Sequence, residues 1–434
     1  MMQTRKYLLI GSLLLSVIVI IANRLNAAVK KRQPLGRESA WTSVPDHVKR
    51  SASTFTPKRI ITSGGQYDGT RMGVGPGDTV GIQGTLPNLI LKDFTGAPGK
   101  PIVFINYGDK AVIQGTTRNN GNFTISGCSY ILVTGSGVAG IRHGFEVSST
   151  FKDVSALVVA GKSTNIEIER VEVSQSGFAG MMIKTDPNKN DESTWLNKFV
   201  MQDVHVHHNY VHDTRGEGLY IGNSFWNKGR NGMYPHEIRG LHVHHNVIEN
   251  AGCEGIQYSC SPGARVHHNR ISKTGVSPFS NSQNAGVQIS GGSSGDFYQN
   301  TIDSAQGIGL IIVGALRGGD SLRISNVSVR HSNLFAGTGS LPAETCGVFV
   351  DERETPPGIP GGGTLLFTNV TVDGARLDGF RFYNETQQNV VSRCVVKNFT
   401  RSAFDRSPKT VPLLVDRRTI TGAGVVAKGI GYQK

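Results

Sequence analysis

Three segments of this 434-residue chain carry histidines in one repeated pattern. They are His205-Val206-His207-His208-Asn209, His242-Val243-His244-His245-Asn246 and Arg265-Val266-His267-His268-Asn269, with starts 37 and 23 residues apart. Alternate side chains of a strand share a face. If Val204 and Val206 face a core, then His205, His207, His242, His244, Arg265 and His267 share the opposite face. A neutral imidazole there can take a proton as general base, and a guanidinium can stabilise the anion that results. The same grid can equally stand as a solvated ladder or hold a transition metal, although nothing fixes a ligand set.

A second group follows the first Asn: His212, Asp213, Arg215 and Glu217, with Tyr220 outward on the next strand. Glu217-Gly218 and Glu254-Gly255 each lie eight residues beyond an Asn, so the two acids are equivalent positions, and Gln257 stacks on Tyr220. Carboxylates ~4.8 Å apart on neighbouring strands are nearer the retaining than the inverting glycosidase spacing. They can also serve the turn itself by accepting backbone N–H groups. Two tryptophans lie in polar excursions, Trp195 within 185–198 and Trp226 within 223–237. Flat indoles in such loops can wall a sugar-binding groove or clamp their own loops.

The elements that position these groups are short alternating strands from about residue 61 onward, separated by Gly, Asn and Ser, with no amphipathic helix. Gly 55 is nearly twice the usual share of ~7%, without a collagen period. Hydrophobic residues at 38% against 18% charged exclude global disorder, and the β-branched bias argues against long helical bundles. Weaker copies of the pattern occur at Ile166-Glu167-Ile168-Glu169, leading to Gly180-Met181-Met182-Ile183, and at Phe297-Tyr298-Gln299-Asn300. A period in the twenties predicts a solenoid of stacked coils around a common core. Asn209, Asn246 and Asn269 would then form an amide ladder, and Glu167 and Glu169 would lie one coil before the histidines.

These strand-Asn-strand-Gly coils resemble the right-handed parallel β-helix, pectate-lyase-like superfamily over roughly residues 61–410. Gly75-Pro76-Gly77-Asp78-Thr79-Val80 and Gly99-Lys100-Pro101-Ile102-Val103-Phe104 resemble the opening coils of alginate- and chondroitin-type polysaccharide lyases. The resemblance implies the fold strongly and activity weakly, because hydrolases and epimerases share such coils. The lyases' own catalytic Lys and Arg motif is absent, so no residue role is carried over.

The formal charge of +13 is concentrated near the N-terminus: residues 1–27 contribute +3 and residues 28–60 contribute +6. The body is therefore only mildly basic, and no nucleic-acid partner is expected. Arg5-Lys6 before an apolar run from Tyr7 to Ala22 reads as a secretory signal, with an uncleaved anchor as the alternative. Five cysteines, Cys128, Cys253, Cys260, Cys346 and Cys394, show no zinc spacing and suit single buried thiols, with the redox state of Cys253 and Cys260 open.

The expected organisation is a signal segment (1–27), a basic linker (28–60) and an all-β parallel β-helix solenoid domain (61–434), monomeric and secreted, periplasmic or on the cell surface. The expected function is action on an extended polysaccharide, foremost β-elimination of a uronate polymer. His207 or His244 would be the base, Arg215 or Arg265 the anion stabiliser, and Glu217 and Glu254 acid/base groups or substrate ligands. Trp195, Trp226, Tyr220, Gln257, Arg265 and His267 would line the binding surface; the cofactor is open, with a calcium bridge as an option that no acidic cluster specifies. A glycoside hydrolase built on the Glu pair and a non-catalytic glycan-binding or adhesion β-helix are the alternatives.

Overall fold

The computed structural model describes residues 56–116, 121–314, 316–334, 345–406 and 412–422. The chain divides into two units, 1–44 and 45–434. The first unit, and with it the expected signal segment and most of the linker, lies outside the described residues.

Each coil contributes one strand to each of three long parallel sheets. Sheet 1 has 13 strands and begins at Arg59–Ile61. Sheets 2 and 3 have 12 strands each, beginning at Thr85–Leu86 and Gly65–Asp68. One coil runs Val204–His207, Tyr210–His212 and Leu219–Ile221 through sheets 1, 2 and 3. The next runs His242–His244, Val247–Ala251 and Ile256–Tyr258. Among the described residues the only helical turn is the 3₁₀ segment Glu192–Thr194, and no helix is long and apolar enough to cross a membrane.

Strand alternation decides what faces inward. Val204, Val206, Val211, Leu219 and Ile221 of one coil, and Val243, Ile248 and Ile256 of the next, are fully buried in one continuous core. Each such side chain contributes ~1.5–3 kcal/mol of burial. The expected register holds: Ile166 pairs with Val204, His205 with His242, and His244 with His267. Phe297 pairs with Val266, so the weak copy at 297–300 is a true coil.

Two corner devices fix the sharp turns. Between sheets 1 and 2, His208, His245 and His268 take left-handed backbone, φ 55°, 54° and 54°. The Asn that follows each points inward. Asn209 donates to Asn246, Asn246 to Asn269 and Asn269 to Asn300, at 3.0, 2.9 and 3.0 Å. The predicted ladder is present and gains Asn300 as a fourth rung. Between sheets 2 and 3, a Cβ on Gly218 would lie 2.5 Å from both Gly255 O and Ile248 Cγ2, so only glycine permits this approach. All five cysteines are buried free thiols.

Candidate functional site

The histidine grid assembles as its register requires, but as a packed stack. His207, His244, His267 and Tyr298 lie face to face, with ring centroids 4.6, 5.0 and 4.5 Å apart. His208, His245 and His268 form a parallel second column at 5.0 and 4.8 Å. Stacking buries His205, His207, His244 and His267, so the grid faces away from the hydrophobic core yet is not a solvated surface. His207 uses both ring nitrogens, Nε2 with Glu167 Oε1 at 3.0 Å and Nδ1 with His208 Nδ1 at 2.8 Å. Burial and neighbouring imidazoles push the His242 and His244 pKa values far down, and burial together with His268 and Arg265 pushes His267 down to about 4. His205 is lowered chiefly by burial. Such imidazoles are neutral and poor proton acceptors near neutral pH. Arg265 is exposed on the same sheet and pairs in register with His242 and Asp296.

The second constellation stands on the outer side of sheet 3. Register stacks Glu217 on Glu254, since Leu219 pairs with Ile256 and the Gly218 N–H donates to Glu254 O at 2.9 Å. The two acids are 2% and 0% exposed. Glu217 Oε2 and both oxygens of Glu254 make no well-formed hydrogen bond, although the backbone N–H of Glu217 approaches the first carboxyl and those of Glu254 and Ala285 approach the second. Burial, together with the Glu217 charge, holds the Glu254 carboxyl well above the usual carboxylate range, and the neighbouring Ala285 N–H offsets this only in part. Glu217 is raised by burial and eased by its own backbone N–H and, less, by the Lys184 ammonium. A stacked carboxyl pair with one proton held in place is an arrangement suited to acid–base chemistry.

Around this pair the outer column of sheet 3 runs Val158, Met182, Tyr220, Gln257 and Gln288, in register. Lys184 Nζ sits 4.8 Å over the Tyr220 ring and bonds Asp186 Oδ1 at 2.8 Å. A groove of roughly 820 Å³ opens beside them, its floor including Val158, Met182 and Lys184 and its rim Lys162, Asp186 and Asp191. Tyr220 pairs in register with Met182 one coil on, and neither it nor the two acids line the groove. On the other side, Phe279 stacks on Phe178 at 5.7 Å and would meet a Cβ on Gly216, beside Glu217. Arg215 lies over the Phe279 ring and bonds Lys152 O at 2.9 Å.

The loops correct the expectation for the tryptophans. Both excursions leave paired strands of sheet 3 and bridge at Trp195 and Pro235. Trp226 is fully buried against Gly291 and Gly292, so it anchors its loop and cannot stack on a ligand. Trp195 is half-buried and donates Nε1–H to Asn188 O at 2.8 Å within its own loop. Neither is a free wall of the groove. Sequence reasoning missed His236, which accepts the Thr185 N–H at 3.1 Å, bonds Glu237 O through Nδ1 and ties the two loops together. It also missed Lys184, hidden as a single base at the end of an apolar strand.

Residues 131–302 match the family described as right handed beta helix region. The fold is a right-handed parallel β-helix. Solved β-helix structures are similar at low identity. The enzymatically active domain of tailspike protein 2 of bacteriophage CBA120 is 10% identical, with a TM-score of 0.46, over 78% of this chain and 47% of its own. This β-helix therefore spans about half the length of that tailspike domain. An alginate lyase from Paenibacillus sp. is 13% identical, with a TM-score of 0.35, over 83% of this chain and 99% of its own. A lacto-N-biosidase from Eubacterium ramulus is 11% identical, with a TM-score of 0.40, over 82% and 62% respectively. No curated protein matches the sequence.

Proposed function

We propose that this β-helix is an exported protein that cleaves an extended carbohydrate polymer lying along the outer column of sheet 3, with Glu217 and Glu254 as its acid–base pair. The observation that carries this reading is the burial of two carboxyls stacked by register, three of whose oxygens make no well-formed hydrogen bond, with Glu217 one coil beyond a groove lined by Met182 and Lys184. Backbone N–H groups beside the two carboxyls ease them only in part, so burial and mutual repulsion still dominate. Buried acids satisfied this poorly cost stability and are retained where chemistry uses them.

The roles follow from the surroundings. Glu254, the more deeply buried and repelled by its neighbour, keeps its proton and donates it to the leaving glycosidic oxygen. Glu217, eased toward its charged form by its backbone N–H and by Lys184, attacks the anomeric carbon or activates water. Strands ~4.8 Å apart favour the retaining arrangement. Polymer binding displaces the side chains over the pair, with Phe279 at its edge. In the stack, both ring nitrogens of His207 and of His267 are taken up by neighbouring side chains, which makes these two poor bases for a substrate.

One observation favours a second reading, β-elimination of a uronate polymer. Lys184 lies over Tyr220, where an ammonium can neutralise a uronate carboxylate and a phenol can exchange a proton. Incubation with a panel of neutral and uronate polysaccharides separates the two. New reducing ends without ultraviolet-absorbing unsaturated products support hydrolysis, unsaturated products support elimination, and binding without turnover identifies a glycan-binding β-helix.

A further inference from the structure

The histidine corner does something that the carbohydrate reading leaves unused. Each His-His pair aims its two Nδ1 atoms at one another, at 2.8 Å for His207 and His208, 2.9 Å for His244 and His245, and 2.7 Å for His267 and His268. Alternation alone would put the second histidine on the opposite face from the first. The left-handed backbone at His208, His245 and His268 turns it back to the same side, over the rigid amide ladder of the following asparagines. Imidazole nitrogens bound to one ion at ~2.0–2.1 Å stand ~2.9 Å apart at a right angle and ~3.3 Å apart at a tetrahedral angle. The observed spacing fits the right angle, which tetragonal Cu(II) and Ni(II) prefer.

Two further features point to a ligand. His207, His208 and His244 each bring a ligating atom within 4.8 Å of the others. Glu167 Oε1 meets His207 Nε2 at 3.0 Å, which places the proton on Nε2 and turns the Nδ1 lone pair toward His208. A carboxylate behind the far nitrogen of a ligating imidazole is the usual outer shell of a histidine metal site. One carboxylate oxygen, Glu169 Oε2, lies 3.7 Å from His207 Nδ1, but the donor set is otherwise imidazole nitrogen, so hard ions such as calcium, which take about six to eight oxygens, are disfavoured.

We infer that His207 and His208, with His244 from the next coil, form a binding site for a late first-row divalent ion, Cu(II) or Ni(II) ahead of Zn(II). The site lies at the corner of sheets 1 and 2, away from the acid pair on sheet 3, and does not depend on the carbohydrate reading.

The test is calorimetric titration of the chelator-treated full chain with Cu(II) alone near neutral pH, with electron paramagnetic resonance of the product. About one tight equivalent, coupled to imidazole nitrogens, is expected. His208→Asn, which suits left-handed backbone, should weaken binding at least 100-fold. Glu167→Gln, which keeps every ligand, should weaken it ~10–100-fold. His331→Asn, outside the corner, should leave it unchanged. Copper should raise the melting temperature of the wild type and not of His208→Asn. No tight equivalent in the wild type, wild-type affinity in both His208→Asn and Glu167→Gln, or an equal loss in His331→Asn would show that the pairs are merely hydrogen-bonded to one another.

Discussion

Register sets Glu217 one coil before Glu254, ahead of paired strands of sheet 3, and three of their four carboxyl oxygens make no well-formed hydrogen bond. Folding therefore favours protonated Glu254, whose pKa lies well above its ordinary value of 4.5. A raised folded pKa gives stability that is full below pH ~4.5 and is lost as pH rises through the folded value. Thermal melts across pH 4–9 should show Glu254→Gln gaining on the wild type as pH rises, by ~1–3 kcal/mol at the alkaline end, and converging with it at the acid end.

The same substitution should remove turnover. Losing a general acid or its partner costs ~10²–10⁴-fold in rate. Glu217→Gln and Glu254→Gln should each fall in kcat by at least a hundredfold on any polymer that the wild type cleaves. Gain of stability with loss of activity is what a functional acid pair predicts and a structural one does not.

The histidine stack makes the opposite forecast. His244 lies between His207 and His267 with nearly parallel rings, so His244→Ala opens a gap in a packed column. It should lose ~1–3 kcal/mol of stability while kcat stays within about threefold of wild type. A hundredfold fall in kcat with native melting would restore the base role expected from sequence.

The amide ladder gives a third mutational forecast. Asn246 accepts from the Asn209 backbone N–H and side chain and donates to Val206 O and Asn269. Asn246→Leu strands these groups in the interior and should cost ~2–4 kcal/mol in chemical denaturation, well beyond an exposed Asn change.

How far the sequence reached depended on whether a feature was local or contributed by distant chain. The repeated Val-His-His-Asn segments carry their own register, so the parallel solenoid, the pairing of Ile166 with Val204 and the asparagine ladder were legible from spacing alone. The second histidine of each pair was not, because alternation assumes strand backbone and His208 departs from it at φ 55°. Burial was also hidden: Trp226 reads as a loop aromatic, yet Gly291 and Gly292, more than sixty residues further on, close over it. The burial that raises Glu254 comes from the folded neighbourhood, with Ala285 of the next coil beside it, which no single segment displays.

The most direct test is the rate at which Glu254→Gln releases reducing ends from the polysaccharide that the wild-type protein cleaves, compared at equal folded concentration. The acid–base account predicts less than about a hundredth of the wild-type rate in a protein that melts no lower. Wild-type turnover by that variant would contradict it.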